Sequence, residues 1–425
     1  MDDRNSPLSA LMPDRRSLIL GAGALAGSAL IAAPAVAAEY PPQNDFPYDE
    51  WVARMRGRAT GMGIRGETYD RVMAKARPDT EIYKFDRAQP EFNEPIWRYI
   101  NRRVNEWRIN TGRDRIKQEA ALFDRIEAKY GVDRYMLCAL WGMESAFGDV
   151  IVNTKFMRPI INCLTALAWG DRRRRPYWEQ EFFNALKIVD KGWAQPEQMI
   201  GSWAGAMGHT QWMPEVWLNM GVDFDGDGKI FPFGRPDDAL GGTARYMLER
   251  GRFRRGEAWG YEVKVPAGFN AALADRRTQR PVSEWAAMGV TRANGQAFPR
   301  GGDIARMALP AGMKGPGFML LQNFFAIRSY NPSFAYALAI GHLADRIRGG
   351  GPFIQSWPVD ERPLTLEETQ EIQQKLTAMG FDTGGADGRV GEMTQRAIQA
   401  WQAQVGMKPA DGYPTDKVLA RLRQN

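Results

Sequence analysis

The chain is poor in the side chains that hold transition metals. Its 425 residues include only two cysteines, Cys138 and Cys163, and two histidines, His209 and His342. None has the spacing of a metal site, which argues against zinc. Both cysteines sit inside apolar stretches, the usual setting of buried free thiols. In an oxidising compartment a bond between them becomes available, but sequence alone does not say whether they approach. Strong charge of one sign is also lacking. A formal net charge of +6 is spread along the chain, with one dense run at Arg172–Arg175 that reads as a solvated face. So mild a basic excess selects no anionic partner and gives no reason to expect nucleic acid. Long apolar runs are missing too. The stretch Leu18–Ala33 is diluted by glycine and alanine and falls short of the roughly 20 residues that a membrane span needs.

That short run has a different meaning in its context. It follows Arg15–Arg16 and precedes Ala35–Val36–Ala37, the layout of an export signal over residues 1–38. The paired arginines resemble a twin-arginine signal. No cysteine lies near the cleavage region, so the expected product is an unlipidated protein without a stable membrane anchor, beginning near Glu39 in the periplasm.

What is plentiful is helical periodicity. From about Tyr48 to Arg348 apolar residues recur at helical spacing between Gly- and Pro-rich loops. A less helical insert between roughly Tyr261 and Pro316, with the alternation Val263–Lys264–Val265–Pro266, predicts short strands. Gly349–Gly350–Gly351–Pro352 then opens a stretch without periodicity, read as a linker over 349–363. The tail, 364–425, predicts three helices. Thr365 and Glu368 are spaced as a capping box, Ile372, Leu376 and Met379 form one apolar face, and Gly380 is the stop. Asp387–Gly388 and Asp411–Gly412 mark turns around a helix carrying Ala397, Trp401 and Val405, and Leu419 and Leu422 close the bundle. The 14 Trp and 13 Tyr suit both packing and sugar stacking, with packing the commoner use.

The strongest chemical signal is Glu144. Leu137, Leu140 and Trp141 precede it by seven, four and three residues and share its helical face. Desolvation on such a face disfavours a carboxylate and leaves a protonated acid, as a glycosidic general acid must be. A Glu paired with a buried arginine would look the same in this segment. A second run, Gly201–Ser202–Trp203–Ala204–Gly205–Ala206–Met207–Gly208, leads into Thr210–Gln211–Trp212–Met213–Pro214. Its small residues allow close approach of backbone or ligand, and Gln211 offers both donor and acceptor. Further on, Asp223, Asp225, Asp227 and Gly228 match positions 1, 3, 5 and 6 of a calcium-binding EF-hand loop, with the Lys229 carbonyl at position 7. Position 12 is Gly234, so the usual bidentate Glu is missing, and a metal-free Asp/Gly turn fits the same residues.

Taken together, these elements resemble the lytic murein transglycosylase B family. The shared positions are Glu144, Ser145, Phe147 and Gly148; Ala204–Gly208; Gln211, Met213 and Pro214; and Tyr330–Asn331. The order and spacing match over most of residues 45–348. In the tail Ile372–Gln373, Gly380, Asp387–Gly388, Gly391, Thr394, Trp401–Gln402 and Asp411–Gly412 resemble a peptidoglycan-binding domain. The resemblance implies a mainly α fold, with a lysozyme-like catalytic core over 39–348, a small β-containing insert and a C-terminal three-helix peptidoglycan-binding domain. It implies Glu144 as acid/base catalyst, with Ser202, Gln211, Tyr330 and Asn331 lining a sugar-binding cleft. It also implies a lengthened structural calcium loop through Asp223, Asp225, Asp227, Lys229 and Asp237, and no cofactor in the chemistry. Two departures stand out. Gly170–Asp171–Arg172 replaces a tyrosine often found before the arginine pair, and His209 stands where a tyrosine is common.

Most glycosidases use two carboxylates. Asp149, the acid nearest in sequence, lies five residues from Glu144 and faces another side of a helix. The resemblance supplies a single-carboxylate reaction. The bond between N-acetylmuramic acid and N-acetylglucosamine is broken, and the muramic 6-hydroxyl closes a 1,6-anhydro ring. A hydrolytic muramidase and a non-catalytic wall-binding scaffold are the competing readings.

Overall fold

The computed structural model describes residues 44, 46–87, 94–152 and 157–424. The export signal read over 1–38 lies outside these residues. Two compact units emerge. Of the described residues, the first holds those up to 87, those within 110–249, and 330–333, and the second holds 94–109, 250–329 and 334–424.

The first unit is helical. Ile160–Gly170 and Arg175–Asp190 form a tightly packed pair: the first is apolar around most of its circumference, and the second buries Trp178, Phe182, Phe183, Leu186 and Val189. Leu164, Leu167, Phe182 and Phe183 are buried between them and their neighbours, and the Trp51 ring of the helix Tyr48–Gly61 lies tilted against Phe182 with centroids 5.4 Å apart. A helix that is apolar all round belongs in a core. The helix Arg134–Ser145, buried from Met136 through Met143, lies in the same unit. Cys138 and Cys163 are separate, buried free thiols, and burial raises the pKa of each.

The second unit contains the expected strands. Gly260–Lys264, Arg280–Pro281, Thr291–Arg292, Ile304–Ala308 and Gly317–Leu320 form an antiparallel sheet. Gly317–Leu320 is central, pairing with both Gly260–Lys264 and Ile304–Ala308. Val263, Trp285, Met307 and Met319 fill the core beside it. The sheet thus extends past Pro316, where the sequence pattern of the insert ends.

The segment 349–363 has no helix but is fixed along this unit. Gln355 and Ile354 donate their backbone N–H groups to Glu262 at 2.7 and 2.8 Å, and the Phe353 ring lies 5.0 Å from Phe318. Three helices follow: Leu366–Ala378, Glu392–Gln404 and Asp416–Arg423. Thr365 and Glu368 close the capping box. Ile372, Leu376, Ile398, Trp401, Val418 and Leu422 form the module's own core, each buried side chain of that size contributing about 1.5–3 kcal/mol. Met379 departs from the expected face. It caps the first helix and is exposed, because the helix stops one residue before it.

Candidate active site

Asp133 starts the helix Arg134–Ser145 by accepting from the Met136 N–H at 3.0 Å, a cap worth about 1 kcal/mol. Its end is unusual. Ala146, Phe147 and Gly148 follow one another at φ 53°, 60° and 94°. Two non-glycine residues in the left-handed region cost on the order of 1–3 kcal/mol each, so packing must hold them there. Phe147 supplies it. Its ring folds back beneath the helix onto Gly142, where a Cβ would come within 2.5 Å of the ring, and sits edge-on to Trp141 at 5.7 Å. Ser145 locks the turn by accepting from the Gly148 N–H at 3.0 Å and donating to the His209 carbonyl at 2.6 Å. Between these buried groups, Glu144 is the half-exposed residue of the last helical turn.

His209 ties this helix to the second run of small residues. Its Nδ1 accepts from the Trp141 indole N–H at 3.1 Å, so Nε2 carries the proton and donates to the Gly234 carbonyl at 2.8 Å. Its backbone N–H donates to the Pro232 carbonyl at 2.9 Å. Burial holds its pKa below the ordinary value, and a second proton would face the Trp141 donor. Gly208 must remain glycine, because at φ +73° a Cβ would meet the Pro232 oxygen at 2.4 Å. The adjacent Thr210 carbonyl accepts from the Tyr330 hydroxyl, and Tyr330 packs edge-on to Tyr246 at 5.1 Å.

The residues expected to line a cleft therefore differ in exposure. Ser202 is half-exposed, and its hydroxyl accepts from the Ala206 N–H at 3.1 Å. Gln211, in the left-handed region at φ 53°, is mostly buried and donates from Nε2 to the Gly208 carbonyl at 2.9 Å. Tyr330 and Asn331 are each about 1% exposed, and Asn331 accepts from the Ser333 N–H at 3.0 Å. Asp171, at one of the two departures, is buried and accepts from the Trp178 indole at 3.0 Å, where it fixes a turn.

Glu181 carries no motif, and sequence reasoning missed it. It is buried beside Phe182 and accepts from the Glu215 N–H at 2.9 Å, anchoring the start of the helix Pro214–Met220 that follows Gln211. Desolvation pushes its pKa up from 4.5 to about 7. Between these values the folded state binds more protons than the unfolded, so this group's contribution to stability falls as pH rises from about 4.5 through 7. Glu181→Gln is expected to flatten that slope, raising the melting temperature at pH 8 relative to the parent more than at pH 5. Identical pH dependence in parent and variant would refute it.

The carboxylates of Asp223, Asp225 and Asp227 are exposed, with ligand oxygens within 4.8 Å of one another. Asp223 accepts from the Gly226 and Gly228 N–H groups at 2.7 and 2.9 Å, and Asp227 from Lys229 at 2.8 Å. Asp237 is not brought to them. Its buried carboxylate accepts from Arg125 at 3.0 Å and Arg235 at 3.1 Å. The next residue, Asp238, closes the loop instead, accepting from Phe224 and Phe231 at 2.7 and 2.8 Å.

A helical unit that presents one glutamate at the strained end of a buried helix, on a chain with its own small three-helix module, has the organisation of a modular lysozyme-like enzyme acting on glycans. The comparisons with known proteins give the family. Residues 47–345 match the transglycosylase SLT domain and residues 365–422 the putative peptidoglycan binding domain, and the chain belongs to the transglycosylase SLT family. SltB3 from Pseudomonas aeruginosa, solved with NAG-anhNAM-pentapeptide, is 41% identical with a TM-score of 0.82, covering 88% of this chain and 99% of that one. The membrane-bound lytic murein transglycosylase B of Escherichia coli is 27% identical over 65% of this chain and 73% of its own length. Escherichia coli lytic transglycosylase Slt35, solved in complex with calcium, is 25% identical with a TM-score of 0.59, over 72% of this chain and 95% of that one. The protein is thus a lytic transglycosylase, an enzyme of the glycosidic bond lyase kind.

Proposed function

We propose that this enzyme cuts the β-1,4 bond between N-acetylmuramic acid and N-acetylglucosamine in peptidoglycan, with Glu144 as its single acid/base group. The position of Glu144 carries the reading: a half-exposed carboxyl whose helix is fixed on both sides by Ser145, Phe147 and His209. Protonated Glu144 donates to the bridging oxygen as the C1–O bond breaks, and the 2-acetamido group of the sugar stabilises the cationic carbon. The carboxylate so formed takes the proton of the muramic 6-hydroxyl while that oxygen bonds to C1. The proton returns to Glu144, and no water is consumed. Ser202 and Gln211 meet the sugar, and Tyr330 and Asn331 hold the cleft wall from behind.

The site of action is the periplasm. The layout of residues 1–38 supports this, and no helix among the described residues is long and apolar enough to cross a membrane. The three-helix module is a peptidoglycan-binding domain that keeps the enzyme on the wall. Digestion of purified, insoluble wall by the full chain tests the whole reading. Release of soluble muropeptides is expected, and intact wall after prolonged incubation would overturn it.

The acidic loop is a structural calcium site. Asp223, Asp225 and Asp227 supply hard oxygen ligands, as calcium requires, joined by the Lys229 carbonyl. The relative solved with calcium supports this reading. The ion takes no part in the reaction. Because a ligand bound only to the folded state stabilises it by mass action, added calcium is expected to raise the melting temperature, and Asp225→Ala to remove the response. A parent protein indifferent to calcium would leave the loop a metal-free turn.

A further inference from the structure

Where the helix Glu392–Gln404 begins, the second unit gathers more positive charge than docking requires. Three guanidiniums converge on the Glu392 carboxylate: Arg277 Nη2 at 3.3 Å, Arg276 Nε at 3.7 Å and Arg328 Nη1 at 3.9 Å. Arg276 also donates to Gln395 Oε1 at 2.7 Å and lies over the Phe334 ring at 5.3 Å. Arg306 covers the Phe325 ring at 4.0 Å. Arg396, one turn beyond Glu392, acts electrostatically on both Arg276 and Asp275. Asp275 adds a charge, but its oxygens are engaged in a local turn with Arg277 N at 2.8 Å and with Thr278 N and Oγ1 at 2.7 and 3.1 Å.

Among the described residues, then, five guanidiniums face two carboxylates, leaving three positive charges in excess. The excess has a cost. Burial pushes the Arg276 pKa down to about 10, and Arg328, Arg396 and Arg277 repel its charge further. One ion pair would join Glu392 to the sheet as well, so joining the two does not account for Arg306 and Arg396. Both are half-buried, and Arg306, its guanidinium on the Phe325 plane, keeps its donor edge available for a planar anion.

We propose that this arginine cluster is a binding site for the carboxylates of the peptide stems of peptidoglycan. Guanidinium matches carboxylate geometry through paired donors, and in a stem-bearing strand the peptides bring those groups, because the muramic lactyl carboxyl is taken up in the amide that joins the stem. The flanking Phe325 and Phe334 rings suit the apolar side chains of such a peptide. This inference rests on the peptidoglycan reading above.

Calorimetric titration of the full chain with three probes tests it: the NAG-NAM disaccharide bearing a pentapeptide, the same disaccharide with no peptide and its muramic lactyl carboxyl capped as the simple amide, and inorganic phosphate. Neither disaccharide contains the bond proposed to be cut, so turnover does not intrude. Because the peptide adds charge-assisted hydrogen bonds, the peptide-bearing ligand is expected to bind about tenfold tighter or better. The double substitution Arg306→Gln and Arg396→Gln is expected to remove most of that advantage. The melting temperature and peptide-free affinity should hold, because Arg276, Arg277 and Arg328 still hold Glu392. Equal affinity for the two disaccharides, binding of neither, or an undiminished advantage in the variant overturns the proposal. Phosphate competing as strongly as the peptide-bearing ligand overturns it as well, leaving a general anion site. Wall digestion judges the proposed function separately, so the two can fail independently.

Discussion

Replacing Glu144 with Gln is expected to lower the rate of wall cleavage at least 10³-fold while leaving the fold and wall binding intact. General acid–base catalysis by one positioned side chain typically contributes about 10²–10⁴-fold, and in the proposed reaction the same carboxyl acts twice, first as acid and then as base. The amide keeps the shape and part of the hydrogen-bonding capacity of the acid but can neither release nor recover the proton. Glu144 is half-buried at the end of its helix, and glutamine matches its size and shape, so the packing around it is kept. Loss of activity with an unchanged melting temperature and unchanged pelleting with insoluble wall is the expected combination. A variant turning over within tenfold of the parent would move the chemistry to another residue.

The second large effect is qualitative and concerns the product. An intramolecular hydroxyl held against the cationic carbon reacts with an effective molarity on the order of 10⁵ M or more, whereas water is present at about 55 M. Ring closure therefore wins by about three orders of magnitude wherever the cleft orients the muramic 6-hydroxyl. Mass spectrometry of digested wall should show muropeptides one water lighter than hydrolytic products, with no new reducing ends. Reducible N-acetylmuramic ends as the main product would identify a muramidase on the same fold, even with Glu144 essential.

The two predictions differ in what supports them. The first depends on the helix Arg134–Ser145 and its locked end. Ser145, Phe147 and His209 constrain that turn, and the two left-handed non-glycine residues show that packing over-determines it. The second depends on how the cleft holds the sugar. In the proposed cleft the buried Tyr330 and Asn331 would act through the backbone they brace, and Ser202 has the more exposed hydroxyl.

Local patterns carried much of the fold. Periodicity around Glu144 gave its helix, and the Thr365–Glu368 spacing gave the capping box that the tail forms. The alternation at Val263–Lys264 gave a strand but not its partners, since register depends on Gly317–Leu320, more than fifty residues away. Met379 shows the limit of a periodic pattern: its spacing fits the buried face, yet the helix ends before it and the side chain is exposed.

The residues with chemistry followed the same division. By itself the sequence determined the mainly helical class, the strand-bearing insert, the three-helix tail and the short motifs around Glu144, Gln211 and Asp223, because each is written in residues a few positions apart. Only the tertiary structure decided what those side chains touch. It placed His209 between Trp141 and Gly234, engaged Asp237 with Arg125 and Arg235, and buried Glu181 at the start of the helix Pro214–Met220. It also drew Arg276, Arg277 and Arg328 onto Glu392 from segments more than sixty residues away along the chain. The physical reason is range. Helix periods, caps and turns are settled by neighbours within a few residues, whereas burial, charge pairing and a shifted pKa are set by whatever folding brings within a few ångströms.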